Sequence, residues 1–307
     1  MLRRDLVIGF AICACAALLL GSSALGAAHT RAVKAPVEEG SDIYVIKLDG
    51  TGRRRLTHAV PAPESGAFFQ RPSWSWRINQ IAFSGSPCDD CPFRLFRTSP
   101  GGGVKPIPIP VVPAERPSWS PDARHVVFVG GRGQQVFRAR LDGSRVRRLT
   151  SDRAAHDQAV WSPNGRRIVY TRQQRNGRWD LYLMDADGGH KTRLTKTVTS
   201  EEEPAWSPDS KQIAFTRQRR GHWVIYVLSL ARGTMKRITK TGQTCENPAW
   251  SPNGRKLIYT RLVRNAAYLY LVNRDGSAPR RLRTGLPRSY DPAWSGSGTK
   301  IAFTGQH

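Results

Sequence analysis

From about residue 42 onward, apolar and polar positions alternate in short runs, and turn-forming clusters of Gly, Pro, Asn, Asp and Ser separate the runs. A period of two is the signature of half-buried β-strands, so the pattern predicts strands rather than helices. One element repeats without gaps: PSWSWRINQIAFS from Pro72, PSWSPDARHVVFV from Pro117, AVWSPNGRRIVYT from Ala159, PAWSPDSKQIAFT from Pro204, PAWSPNGRKLIYT from Pro248 and PAWSGSGTKIAFT from Pro292. Its tryptophans are Trp74, Trp119, Trp161, Trp206, Trp250 and Trp294, and nine residues after each stands Phe83, Phe128, Tyr170, Phe215, Tyr259 or Phe303. SPNG or SPDS reads as a tight turn between a strand at the tryptophan and a second strand. A third strand follows, as in DLYLMDAD or VIYVLSLA, and a fourth ends in RRLT, TRLT or KRIT. Four strands in a repeat of this length are the dimensions of one propeller blade.

The ends of the pattern complement each other. The sixth repeat stops after its second strand, whereas DIYVIKLDG and RRRLT near the start supply a third and a fourth strand without a first or second. The expected fold is therefore all-β: a six-bladed propeller with four antiparallel strands per blade, its ring closed by N-terminal strands that complete the C-terminal blade. Closure of this kind removes unpaired inner edges. The six copies closely resemble the TolB-like propeller repeat, PxWSPDGxxIxF followed by an (I/L)Y strand and RLT. The resemblance covers residues 42–305 and implies a propeller of envelope proteins and of non-catalytic peptidase domains. TolB itself carries a separate α/β domain before its propeller. Here only residues 29–41 lie between the hydrophobic segment and the first strand, so the resemblance is to the propeller and not to a full TolB. The peptidase relatives add an α/β-hydrolase domain, and this sequence has no GxSxG.

The N-terminus changes the picture of where the domain works. Arg3 and Arg4 precede an apolar stretch, Leu6 to Leu20, followed by GSSALGAA. Residues 1–28 read as a signal peptide or an N-terminal membrane anchor, residues 29–41 as a linker and residues 42–307 as the propeller. Either reading places the domain outside the cytoplasm: secreted, periplasmic or anchored facing outward. Cys13 and Cys15 lie inside the apolar segment, so lipid attachment is not expected. With 39% hydrophobic residues and nine tryptophans the chain can bury a core, which excludes general disorder. Its formal net charge is +25, from 48 Lys plus Arg against 23 Asp plus Glu. An anionic surface is a possible partner for such a chain, but no block of like charge marks a specific nucleic-acid site. Arginine pairs in the fourth strands (Arg54-Arg55, Arg147-Arg148, Arg280-Arg281) are expected on the outer edges, where charge discourages edge-to-edge pairing.

Candidate binding residues lie three and four positions before each tryptophan, in the loops expected to cross from one blade to the next and to ring one mouth of the channel. They give Arg71, Arg116, Asp157, Glu202, Glu203, Glu246 and Asp291: two arginines facing a run of carboxylates. Clustered carboxylates can hold calcium, but no ligand-loop motif is present. Neither a metal nor a cofactor is expected. Cys88 and Cys91, in SPCDDCP, are expected to form a disulfide across a hairpin, leaving Cys245 as a buried free thiol. With no HExxH, phosphate-cradling glycine loop or nucleophile–base motif, the sequence points to a monomeric, non-enzymatic module that binds a protein or a cell-envelope polymer. The alternatives are a propeller enzyme, a glycan lyase or hydrolase with a channel-mouth site, and electrostatic binding of an anionic polymer by the basic surface.

Overall fold

The tryptophan-bearing runs become the innermost strands, each ending where a serine-capped turn reverses the chain. The computed structural model describes residues 40–57, 67–88 and 90–306. The 1–28 hydrophobic segment and residues 29–39 of the linker, with the export they suggest, lie outside the described residues. Ser120 illustrates the turn. Its hydroxyl accepts the His125 N–H at 2.9 Å, while Asp122 Oδ1 accepts the Arg124 N–H at 3.0 Å. Ser162, Ser207, Ser251 and Ser295 accept the matching N–H in four other blades. Short polar side chains that bond their own backbone in this way explain why Ser and Asp or Asn recur there.

Two strands come first in the chain, β1 (Ser41–Lys47) and β2 (Arg54–Arg55). Blade 1 is β3 (Phe68–Trp74), β4 (Ile81–Ser86), β5 (Arg94–Ser99) and β6 (Gly102–Pro106), and blade 2 is β7 (Ala114–Trp119), β8 (His125–Gly130), β9 (Gln135–Arg140) and β10 (Arg147–Arg148). Blade 3 contains β11 (His156–Trp161), β12 (Arg167–Gln173), β13 (Trp179–Asp185) and β14 (Thr192–Arg193). Blade 4 contains β15 (Glu201–Trp206), β16 (Gln212–Arg219), β17 (His222–Ser229) and β18 (Met235–Arg237). Blade 5 is β19 (Thr244–Trp250), β20 (Lys256–Val263), β21 (Ala266–Asn273) and β22 (Arg280–Arg281), followed by β23 (Arg288–Trp294) and β24 (Lys300–Gln306).

The last two strands find their partners at the start of the chain. β24 pairs antiparallel with β1 over its whole length, from Ser41 opposite Gln306 to Lys47 opposite Lys300, and β2 pairs with β1 on the outside. Blade 6 is thus β23-β24-β1-β2, closing the ring as its half-repeats predicted. The strand begins at Ser41, one residue before the expected boundary, where the Ser41 hydroxyl donates to the Phe69 carbonyl of blade 1 at 3.0 Å.

Packing follows the repeat. The aromatic nine residues after each tryptophan stands directly opposite a third-strand aromatic, giving six cross-strand pairs: Phe83–Phe96, Phe128–Phe137, Tyr170–Tyr182, Phe215–Tyr226, Tyr259–Tyr270 and Tyr44–Phe303. Their ring centroids lie 5.6–6.1 Å apart, within the favourable range for aromatic pairs. The buried apolar residues fall into six clusters, each joining one blade to the next, with Val169, Leu181 and Leu183 of blade 3 against Trp206, Ile213 and Phe215 of blade 4 as an example. Six interfaces for six blades is the arithmetic of a closed ring. The terminal threonine of RLT has its own task. In four blades its hydroxyl accepts an N–H from the third strand, as Thr195 does from Leu181 at 2.9 Å, fastening the short outer strand.

Candidate functional site

Each innermost strand carries the same irregularity. Its ladder slips between the fourth residue and the first before the tryptophan, for instance between Glu202 and Ala205. At the slip sits a residue with positive φ: Arg71 (57°), Arg116 (54°), Gln158 (51°), Glu203 (56°), Asn247 (52°) and Asp291 (50°). This is the glycine position of a β-bulge, occupied six times by larger residues, five of them followed by proline. A left-handed non-glycine residue costs about 1–2 kcal/mol. Strain repeated at one ring of positions has to be held by the surroundings. The sequence-predicted site residues are therefore not in crossover loops. They lie within β3, β7, β11, β15, β19 and β23, because the bulge turns them inward without interrupting the strand.

Side chains from neighbouring blades hold the bulges in place. Gln158 Oε1 accepts the Glu203 N–H at 2.6 Å, and Glu203 in turn accepts from the Asn247 N–H and Nδ2, both at 2.6 Å. At the seam the Arg71 N–H donates to Thr304 Oγ1 at 3.2 Å, and that hydroxyl donates to Asp291 Oδ2 at 3.1 Å. Across the channel Arg71 Nη1 reaches Glu203 Oε1 at 3.3 Å, while between neighbouring blades it meets Asp291 Oδ1 at 3.1 Å and Arg116 Nε meets Asp157 Oδ1 at 3.0 Å. Glu202 and Glu246, the other two expected carboxylates, make no ion pair among the described residues. They lie one residue further from the tryptophan, as Asp157 does.

The electrostatics follow from this division. Burial alone would lower the Arg71 pKa, but Asp291, Glu203 and Asp157 outweigh it and keep the guanidinium charged. Burial, reinforced by Glu203 and Asp157, pushes the Glu202 carboxyl from its ordinary 4.5 up to about 7. Glu246 is raised by burial and then by Glu203. A carboxyl with a raised folded-state pKa stabilises the fold when protonated, and that contribution is lost as pH rises from 4.5 through about 7. Glu202→Gln is therefore expected to melt higher than the parent at pH 8 and close to it at pH 5. An equal difference at both pH values in thermal melts would contradict the assignment.

From the ring the innermost strands diverge toward the Ser-Pro turns, enclosing a funnel of about 580 Å³ lined by all six blades. Its lining runs from the ring to the Ser-Pro turns and includes no residue of the crossover loops. Arg116 Nη1, on its floor, is buried with no protein acceptor. Its wall is interrupted at one place. Where blades 2–5 have Pro121, Pro163, Pro208 and Pro252, blade 1 has Trp76 and blade 6 has Gly296. The two exceptions are reciprocal: a Cβ at Gly296 would come within 2.7 Å of the Trp76 carbonyl. The Trp76 indole N–H donates to the Trp294 carbonyl at 3.2 Å, fixing a ring that is 43% exposed on the funnel wall. Ile78 beside it is also exposed. Trp76 was not among the sequence candidates, although PSWSWR against PSWSPD was the visible signal.

Cys88 and Cys91 are joined in a disulfide in the β4–β5 hairpin, with their Cα atoms 5.1 Å apart. The Ser86 hydroxyl lies within hydrogen-bonding distance of both cysteine carbonyls. Cys245 is a free, fully buried thiol whose pKa burial raises to about 11. Among the described residues, no group of three or more His, Cys, Asp or Glu is arranged to hold a metal ion.

Comparison with known proteins agrees with this architecture. A family profile described as the TolB beta propeller domain matches residues 172–266. The structure of a protein described as TolB from Agrobacterium tumefaciens superposes with a TM-score of 0.73 at 20% identity, covering 87% of this chain and 98% of that one. TolB from Acinetobacter baumannii gives 0.68 at 20% identity over 83% of this chain and 66% of that one. An oligogalacturonate lyase in complex with manganese gives 0.55 at 13% identity over 80% and 74%. A search of the curated proteins found no match. At these identities the structural likeness is one of fold. The chain has the fold of a six-bladed β-propeller, and its residues 172–266 match the TolB beta propeller profile.

Proposed function

We infer that the protein is an extracytoplasmic, non-enzymatic binding module whose funnel captures a loop of a partner protein or a segment of a cell-envelope polymer. The observation that carries this reading is the composition of the funnel. A strained ring of balanced charge forms its floor, with a buried Arg116 N–H group left without an acceptor, and the exposed Trp76 stands on its wall. Buried polar groups normally have partners, so the free donor suits an acceptor carried by a ligand, such as a carbonyl or a hydroxyl. An exposed indole supplies apolar contact at small entropic cost. The N-terminal segment supports action outside the cytoplasm, and the fold supports binding rather than any one chemistry.

The test uses residues outside the ring's hydrogen-bond network. Reversing charge at Glu203 or Arg71 would disturb the fold itself, whereas Arg77 lines the funnel and is exposed. Arg77→Glu and Trp76→Ala are expected to lower recovery of the partner from envelope extract about tenfold, with Arg77→Glu melting as the parent does. Arg147→Glu with Arg148→Glu, on the outer strand, should alter only the salt dependence. Equal losses from funnel and outer-strand variants would overturn the reading in favour of diffuse electrostatic binding.

A further inference from the structure

A second cavity, of about 380 Å³, lies on blade 3 away from the funnel and is lined by four arginines. Strand alternation assembles it. Arg172 stands directly opposite Asp180 across the β12–β13 ladder. Gln174 is two residues beyond Arg172 and Arg178 two before Asp180, so all four share one face of the hairpin. Arg193 reaches in from β14, and Arg175 comes from the turn between β12 and β13.

The pairing leaves positive charge uncompensated. Asp180, the one carboxylate lining the cavity, is buried and bound to Arg193 Nη2 at 2.8 Å. Arg172 Nε is held by Asp152 Oδ2 at 2.9 Å, with its guanidinium 5.6 Å from the Tyr182 ring centroid. Glu201, nearby, is engaged by the Thr197 hydroxyl and by Arg217 Nε at 3.4 Å. The guanidinium groups of Arg175 and Arg178 make no hydrogen bond or ion pair among the described residues, Arg178 acting on Asp180 only at longer range, and both residues are exposed. The repeat supplies its own control. Blade 6 has the same buried pair, Asp42 with Arg55 at 2.5 Å, but carries Gly305 where blade 3 has Arg172. The Asp–Arg pair thus recurs without the cavity, and an arginine at the Arg172 position recurs as Arg217 and Arg261 in blades 4 and 5, so Arg175 and Arg178 are what sets blade 3 apart. Like charges gathered in a concave site repel one another unless an anion is bound among them, and guanidinium forks match oxyanion geometry.

We propose that the blade 3 cavity is a binding site for a phosphate-type oxyanion, either free or as a monoester group, held by Arg172, Arg175, Arg178 and Arg193. The site is separate from the funnel, so it stands whether or not the funnel binds a partner. The test is an NMR titration of the purified protein with inorganic phosphate at constant ionic strength, read at the amides of residues 174–178. Saturable shifts are expected at these amides. Arg175→Ala with Arg178→Ala should weaken binding at least tenfold, because they remove two of the four guanidinium groups, and with both side chains exposed the fold should stand. Arg147→Ala with Arg232→Ala, which removes the same charge elsewhere on the surface, should change it less than twofold. The absence of saturable shifts at these amides, or equal weakening by the two double variants, would overturn the proposal.

Discussion

Phe303→Ala is expected to lower the unfolding free energy by about 3–5 kcal/mol. Phe303 is fully buried in the cluster joining blades 5 and 6, and it stacks on Tyr44 with ring centroids 5.6 Å apart. These two rings come from opposite ends of the chain and belong to the same blade. Truncation removes a large apolar side chain, leaves a cavity that a rigid sheet cannot collapse to fill, and weakens the closure itself. In a domain of this size each kcal/mol moves the melting temperature by about 2–4 °C, so a drop near 10 °C is expected in calorimetry. Val198→Ala, at a position 76% exposed, should stay within about 0.5 kcal/mol. Similar small changes for both variants would mean that the β1–β24 pairing contributes little.

The second large effect concerns Glu203. Its carboxylate accepts from the Asn247 backbone and side chain and faces Arg71 across the channel. Glu203→Ala removes these contacts together, leaving a buried N–H without an acceptor and Arg71 with Asp291 as its remaining close counter-charge. Breaking one member of a buried, hydrogen-bonded charge group costs about 3–5 kcal/mol. Glu203→Gln keeps one acceptor, for the Asn247 N–H, but replaces the oxygen that faces Asn247 Nδ2 and Arg71 with an NH2 donor, so its cost should be smaller than that of alanine but still roughly 1–3 kcal/mol. Denaturant unfolding of both variants checks the order. Equal and small losses would show that the bulge ring is held by the strand ladder alone.

The fold was legible because its signals are local and repeated. A tryptophan, a capped turn and an aromatic at fixed spacing recur six times, and the missing halves at the two ends could only be each other's partners. The positions of the candidate site were legible too, counted back from each tryptophan, but their setting was not. A left-handed bulge is normally announced by glycine, and here Arg71, Arg116, Gln158, Glu203, Asn247 and Asp291 occupy it, so no residue type marked the place. In the sequence alone these positions therefore read as loop, whereas they lie within strands. Ion pairs between blades, such as Arg71 with Asp291, depend on ring geometry that a linear pattern does not encode. The exchange of Trp76 for proline and its answering Gly296 was visible in the alignment, but its meaning appears only once blades 1 and 6 are neighbours.

Photo-crosslinking in the producing cell tests the central claim most directly, since it needs neither a purified partner nor a disrupted ring. A photoreactive phenylalanine analogue is placed at Arg77, which lines the funnel, and, in a second strain, at Val198, both of them exposed. The funnel reading predicts a discrete light-dependent adduct from position 77 and none from position 198. An adduct from position 198 alone would contradict it and place recognition elsewhere on the propeller.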